Sequence, residues 1–345
     1  MTARLEEAVV LAALVAAPAG HPPDELVALL GSAGVSHDAA ITACEALLER
    51  AAIEARGGAL QVTSRGANEL IDFHAALEHA LDPSPTTPGM EECPSVPWLT
   101  TVQTHWLDAV SLNYAVDVDA VRALLPRPLE PEIHEGRAWV QLLVSRLREM
   151  RPQGLPALFG VSFHQASYRV AVAYRSLSGR VRRGGYFIRS ETDHSVMRAI
   201  GNRLVEFRFH DFGLAAMGLA RRGERLTLSI APSVGPPHGE VDVDFDTRPG
   251  QGPPPTSVWR SLEHVREPLV DCFDAFGVDP SGWVYVLTID REPWQERWVA
   301  PTVRRVAYFE SGPLGGGASR LDSVLHVPVP CAYRWRPLRR ERFEP

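Results

Sequence analysis

The spacing of apolar residues changes character near residue 100. Before that point it is helical. Leu5, Ala8, Val9 and Ala12 fall on one helix face. In HPPDELVALLG, Pro23 opens a short helix and Gly31 stops it. Ser36 is placed to N-cap a third helix with an apolar face of Ile41, Cys44, Leu47 and Leu48. IEARGGALQV reads as two strands turning at Gly57–Gly58, and a fourth helix is expected from Ser64 to Leu81. Three helices, a ribbon and a helix are the order of a winged helix-turn-helix-like domain over residues 1–81. Residues 82–97 carry five prolines and few apolar groups, which predicts a linker.

From Trp98 onward the pattern becomes that of short strands. AWVQLLV, SYRVAVAY, GGYFIRS, RLTLSIAP, WVYVLTID and VRRVAYF are β-rich runs bounded by Gly, Pro and charged clusters. Helices are expected over Asp117 to Leu125, Asp193 to Arg203 and Ser257 to Phe276. So many strands with so few helices predict one large closed or nearly closed β-sheet over residues 98–345, with the helices outside it. A sheet of that size can enclose a small molecule. The fold class is α+β.

Charge bears on partners. Residues 1–81 hold four arginines and eleven acids, and the helix placed to read DNA carries Asp38, Glu45 and Glu49. A phosphate backbone repels such a surface, so docking or dimerisation is the preferred role for this domain and DNA binding the alternative. Beyond residue 81, 31 arginines balance 31 acids, which implies no general polyanion surface. The opening LEEAVVLAALVAA begins acidic and is short, reading as neither a signal peptide nor a membrane span. Cys44, Cys93, Cys272 and Cys331 show no zinc spacing and fit a reducing cytoplasm. All 35 basic residues are arginine. With no lysine, no side chain can form a Schiff base.

Several segments together resemble the YqjF-like family, also called DUF2071. They are WLDAVSLNYAVDVDAVRALLPRPLEPEIHEGRAWVQLL, MRPQGLPALFGVSFHQASYRVAV, GGYFIRSETDHSVMRAIGNRLVEFRFHDFGLAAM, GWVYVLTIDREPWQERWV and VLHVPVPCAYRW. The resemblance spans roughly Trp98 to Arg340. It implies an acetoacetate-decarboxylase-like curved antiparallel β-barrel with peripheral helices around a small-molecule pocket. Such decarboxylases use an adjacent lysine pair, which would fall within Gly201 to Asp211. None is present, so Schiff-base decarboxylation is excluded. Where the family often shows F-x-E-x-N-x-R, this chain has Phe163, Gln165, Ser167 and Arg169. Strand alternation sets the last three on one face, where they can orient a ligand but hardly move protons.

Other candidates follow from residue chemistry. His210 and Asp211 sit side by side in EFRFHDFGLAAM. Sequence neighbours on a strand face opposite ways, so at most one enters a cavity. His210 could be an acid or base near neutral pH, or could be packed at the barrel mouth, with Asp211 bonding a loop N–H. Glu191 could lie near Arg189 or Arg169, and Thr192, Asp193 or Ser195 could cap the helix that follows. Arg169 needs an anionic partner if it is buried, either a ligand carboxylate or an acid such as Glu191. Trp139, Tyr186, Phe187 and Trp294 could wall a pocket or simply pack the core.

The catalytic candidates are therefore His210, Asp211 and Glu191. The substrate-binding candidates are Arg169, Gln165, Ser167, Tyr186, Arg189, Trp139 and Trp294. No metal and no cofactor is expected. The partner is an anionic or carbonyl-containing small molecule, and a homodimer is compatible with the sequence. The function expected is ligand binding or a lysine-independent lyase, isomerase or cyclase step. A ligand-responsive regulator and a docking protein are the alternatives.

Overall fold

In the computed structural model, the structure describes residues 7, 10, 11, 14, 22–32, 36–50, 52–56, 59–63, 65–66, 90–92, 101–153, 157, 160–177, 179–195, 197–198, 212–234, 238–248, 250–279, 282–336 and 338–343. Near the N-terminus lie helices α1 (Pro23–Ser32) and α2 (His37–Glu49) and a hairpin of β1 (Ile53–Arg56) with β2 (Ala59–Val62). Ser36 caps α2 by accepting a hydrogen bond from the Ala39 N–H at 3.3 Å. The expected apolar stripe of α2 needs correction. Ala40, Ala43, Cys44 and Leu47 face the local core, with Leu26, Leu30, Ile53 and Leu60, while Ile41 and Leu48 are exposed. The fourth helix expected from Ser64 to Leu81 lies outside the described residues except for 65–66.

The remainder is mostly β-sheet. The strands are β3 (Met90–Glu92), β4 (Val102–Val116), β5 (Glu130–Pro131), β6 (Ile133–His134), β7 (Arg137–Pro152), β8 (Val161–Arg175), β9 (Val181–Thr192), β10 (Phe212–Arg222), β11 (Arg225–Val234) and β12 (Val241–Asp246). They continue with β13 (Asp274–Val278), β14 (Trp283–Arg291), β15 (Arg297–Trp298), β16 (Ala300–Val306), β17 (Ser319–Val327), β18 (Cys331–Trp335) and β19 (Arg339–Arg342). The pairings make a circuit. β4 pairs with β7, β7 with β8, β8 with β9, β9 with β13, β13 with β14, β14 with β18, and β18 again with β4. A branch leaves at β9 through β10, β11 and β12 to β16.

Both faces of the long strands are covered along their central stretches, so apolar side chains point both ways there. One face of β4, β7 and β8 carries Leu112, Val140, Leu142, Tyr168 and Val170, packed with Leu226, Leu228, Val243 and Phe245 of the branch. The other face carries Trp106, Leu143 and Leu147, clustered with Ile289, Trp294 and Tyr333. Burying each such large apolar side chain stabilises the fold by about 1.5–3 kcal/mol.

Three sequence expectations are corrected. Residues 90–92, placed in a linker, form β3 and pair with β19. The helix expected over Ser257 to Phe276 reduces to α3 (Leu262–Val265) and a π-helical turn (Arg266–Val270) closed by the Asp271 N–H on the Arg266 carbonyl at 2.7 Å. Its last residues become β13 because Ala275 and Phe276 find strand partners in both β9 and β14, and tertiary pairing overrides local propensity. The strand expected through VRRVAYF stops at Val306, and Ala307–Glu310 form a helical turn with Tyr308 and Phe309 buried.

Candidate functional site

The register of the circuit places polar residues in a row. Ser323 of β17 lies opposite Asn113 of β4, Asn113 opposite Gln141 of β7, and Gln141 opposite Arg169 of β8. Arg169 is 6% exposed. Its Nε donates to Gln141 Oε1 at 3.0 Å, and its Nη2 donates to the same oxygen at 2.5 Å and to the Leu269 carbonyl at 2.7 Å. Among the described residues none of its hydrogen-bond partners is a carboxylate.

On one side of this row a cavity opens. Its wall takes Trp106 from β4, Ser145 from β7, Gln165, Ser167 and Arg169 from β8, and Phe187 from β9. Ala275 from β13, Leu287, Ile289 and Arg291 from β14, and Tyr333 and Trp335 from β18 complete the circuit, with Trp294 and Cys272 from loops. The space open to water-sized atoms is about 40 Å³, room for about three waters at ~10–15 Å³ each. No acid lines it.

A second guanidinium faces the same space. Arg291 Nη2 donates to the Val270 carbonyl at 2.7 Å, and the cation lies 4.3 Å from the Trp294 ring centre. Consecutive carbonyls at the end of the π-helical turn, those of Leu269 and Val270, thus hold the two arginines, as carbonyl-rich helix ends favour cations. Burial, with the charge of Arg169 added, holds the Arg291 pKa below the usual arginine range. Asp271 Oδ1 lies 3.5 Å from Arg291 and is 43% exposed. Trp106 Nε1 is a buried donor with no protein partner. Burial pushes the Tyr333 phenol up to about 12, against the pull of Arg169 and Arg291, and raises the Cys272 thiol likewise. Both stay protonated at neutral pH. The described wall therefore offers positive charge and hydrogen-bond donors, but no group that titrates near pH 7.

Glycine makes the fit possible. A Cβ on Gly185 would stand 2.6 Å from Arg169 Cδ and 2.9 Å from its Cγ. On Gly184 it would meet the Asp274 carbonyl at 2.4 Å. The Gly184–Gly185 pair lets β13 and the arginine stem come close to β9.

Of the expected site residues, Gln165, Ser167, Arg169 and Trp294 converge on the cavity. Trp139, Tyr186, Arg189 and Glu191 do not. Trp139 shares the face of Gln141 but lies one step beyond the polar row, fully buried 4.5 Å from the Trp259 ring. Tyr186 faces away by simple alternation with Phe187, and a β-bulge explains Arg189 and Glu191. Tyr168 pairs with Arg189 while Arg169 pairs with Phe187, so Ile188 is an extra residue. Phe187 keeps the cavity face, and Arg189 and Glu191 turn to the opposite one, where Tyr186 also packs. There Arg189 Nε donates to Glu191 Oε1 at 3.1 Å, and this pair replaces the ion pair considered between Arg169 and Glu191. Burial raises the Glu191 carboxyl above its usual range despite Arg189. Glu191 Oε2 and the Tyr168 hydroxyl are buried without partners. His210 and Asp211 lie outside the described residues. Asp193 accepts from the His164 N–H at 2.8 Å, and Thr192 Oγ1 accepts from the His194 N–H.

Sequence reasoning missed Gln141, Arg291, Trp106, Tyr333 and Cys272. Alternation would have found Arg291, since Leu287, Ile289 and Arg291 share a strand face. Gln141 is the lone polar residue within AWVQLLV. Among the described residues no three His, Cys, Asp or Glu side chains converge as metal ligands. No helix among them is long and apolar enough to cross a membrane.

Comparison with known proteins gives a match of residues 103–324 to DUF2071, described as an uncharacterized conserved protein (COG2071). The uncharacterized protein YqjF of Bacillus subtilis (strain 168) is 32% identical over 90 residues, which are 26% of this chain and 35% of that protein. The matched stretch thus spans about a third of that relative's length. Among solved structures, an acetoacetate decarboxylase-like enzyme from Sphingomonas wittichii RW1 is similar at TM-score 0.46 and 12% identity, over 71% of this chain and 93% of that one. Acetoacetate decarboxylase from Legionella pneumophila is similar at TM-score 0.44 and 14% identity, over 76% and 93%. The enduracididine biosynthesis enzyme MppR complexed with pyruvate is similar at TM-score 0.43 and 15% identity, over 73% and 95%.

Proposed function

The chain belongs to the DUF2071 family, whose match takes in more than half of its residues, and from that premise we propose that it is a small-molecule-binding protein whose barrel-like circuit of strands holds a compact anion, a short carboxylate, against Arg169. One observation carries this reading: a buried guanidinium faces a cavity that no acid lines among the described residues, with only neutral hydrogen-bond acceptors there around it. An uncompensated buried charge is expensive, on the order of several kcal/mol, and an anion that enters the cavity relieves it. Arg291, offset in part by Asp271 at 3.5 Å, adds a second guanidinium to the wall. The aromatic walls and the narrow space favour a ligand with few atoms and a short apolar body.

Binding is a better reading than proton-transfer catalysis for the described wall, because Cys272 and Tyr333 both hold their protons at neutral pH. A catalytic step would draw on His210 or Asp211, since Glu191 lies on the far face of β9. For the N-terminal winged-helix-like segment we favour a docking role over DNA binding. α2 presents Asp38, Glu45 and Glu49, and Arg50 after it is engaged by Glu7 at 2.8 Å. Free Cys44, Cys272 and Cys331 fit a cytoplasmic location.

The test is a ligand-observed NMR titration of the full chain with acetate and with its neutral isostere acetamide. Acetate is expected to bind and acetamide not, and Arg169→Met should remove acetate binding. Equal binding of the two probes, or acetate binding that survives Arg169→Met, overturns the reading.

A further inference from the structure

Arg169 is held by an amide, where a carboxylate would make the same contacts. A guanidinium only donates, so Gln141 must turn its oxygen toward Arg169, and it does so at 3.0 Å from Nε and 2.5 Å from Nη2. Its nitrogen then donates to Ser111 Oγ and Asn113 Oδ1, each at 3.0 Å. Ser111 Oγ donates to Asn113 Oδ1 at 2.8 Å, and the Asn113 amide donates to Ser323 Oγ at 3.3 Å. Gln141, Ser111, Asn113 and Ser323 are each at most 2% exposed. The row is a buried neutral network, and among the described residues its one charged hydrogen-bond partner is the arginine at the cavity edge.

Glutamate at position 141 would have the same shape and the same two contacts through one oxygen, now as an ion pair. It would cancel the guanidinium charge in a low-dielectric setting, where that cancellation is strong. Asp271 already offsets Arg291 at 3.5 Å, so Arg169 is the charge left for a ligand. We infer that Gln141 is the specificity-determining residue of the cavity, because it fixes Arg169 in place without neutralising it and so makes the site select a monoanion over a neutral molecule of the same shape. This rests on the reading that the cavity takes an anion. Gln141 does not line the cavity and acts through Arg169, so it is a positioning residue.

The experiment uses the full chain, the same acetate and acetamide titrations, and the variants Gln141→Glu, Gln141→Met and Arg169→Met, with thermal melting as the check on folding. The network can accept Gln141→Glu, since Asn113 can turn its amide over to donate to the new carboxylate. Acetate affinity is expected to fall at least ~30-fold in Gln141→Glu, the scale of losing one partner of a buried charge pair, with cooperative melting kept. Gln141→Met, which is neutral, should keep the preference for acetate over acetamide with weaker binding. A loss in Gln141→Met as deep as in Gln141→Glu would mean that charge is not the cause, and would overturn the inference. So would Gln141→Glu binding acetate within threefold of wild type while Arg169→Met does not, a result that leaves the anion reading standing. Acetate binding undiminished in Arg169→Met instead removes the anion reading, and the inference with it.

Discussion

Gly185→Ala tests whether the position of Arg169 is set by packing as tightly as the geometry implies. The new methyl would stand 2.6 Å from Arg169 Cδ and 3.5 Å from Cys272 Sγ. Carbon atoms rest at ~3.5–4.0 Å, so the arginine stem must move by about 1 Å. It has little room. Its Nη2 is fixed on the Leu269 carbonyl and its Nε on Gln141. A shift of that size breaks or lengthens at least one of these bonds, each worth about 1.5–3 kcal/mol for a charged donor, and adds ~1–3 kcal/mol of overpacking. With partial relaxation the expected loss is about 2–4 kcal/mol, or roughly 5–15 °C in melting temperature. Acetate binding should fall along with it, because the guanidinium no longer points into the cavity. The control is Gly136→Ala. Gly136 has φ +72° and nothing within 4 Å of the added methyl, so it should lose about 1 kcal/mol from backbone conformation alone and bind acetate like wild type. Differential scanning calorimetry with the NMR titration reads both effects. Gly185→Ala melting within 1 °C of wild type with acetate binding intact would refute the reasoning.

Two further outcomes concern polar groups that do not line the cavity, one buried and one half-buried. Tyr168→Phe removes a fully buried hydroxyl that has no partner, so it should stabilise the fold by about 1 kcal/mol in urea denaturation, and a destabilised variant would contradict that. Asp274 is held above the usual carboxylate range by burial, which outweighs the 2.7 Å hydrogen bond from Thr288 Oγ1. A folded-state pKa above the unfolded one means that the native protein binds the proton more tightly, so the ionised carboxylate is a penalty that sets in as pH rises past ~3.9. Asp274→Asn should therefore match wild type near pH 3 and grow more stable relative to it toward pH 7; a difference that does not change with pH would refute this.

How much of this was legible in the sequence depends on which contacts are local. The shared face of Gln165, Ser167 and Arg169 needs only the period of two along one uninterrupted strand, and β8 is uninterrupted over those residues. On β9 the same rule sets Phe187, Arg189 and Glu191 on one face, and the structure divides them, because Ile188 is an extra residue against β8. A bulge is a property of two strands, so one strand's sequence does not carry it. The same holds for Ser257 to Phe276, whose apolar spacing suits a helix until Ala275 and Phe276 find partners in β9 and β14.

The partner of Arg169 shows why composition leaves the site hidden. All 35 basic residues are arginine, and many of those described sit on an acid, as Arg304 does on Asp242 and Asp244 and Arg182 does on Glu341 at 2.8 Å. Residue type therefore does not separate a ligand-facing arginine from a structural one. What separates Arg169 is the residue across the strand from it, Gln141, 28 positions earlier in the chain. That residue is visible in AWVQLLV as one polar interruption of an apolar run. Its meaning appears only once the register of β7 against β8 sets amide against guanidinium. A buried polar residue in such a run has to find a partner. In a sheet the cross-strand neighbour is the nearest candidate, and the register that sets Gln141 opposite Arg169 makes that arginine the partner.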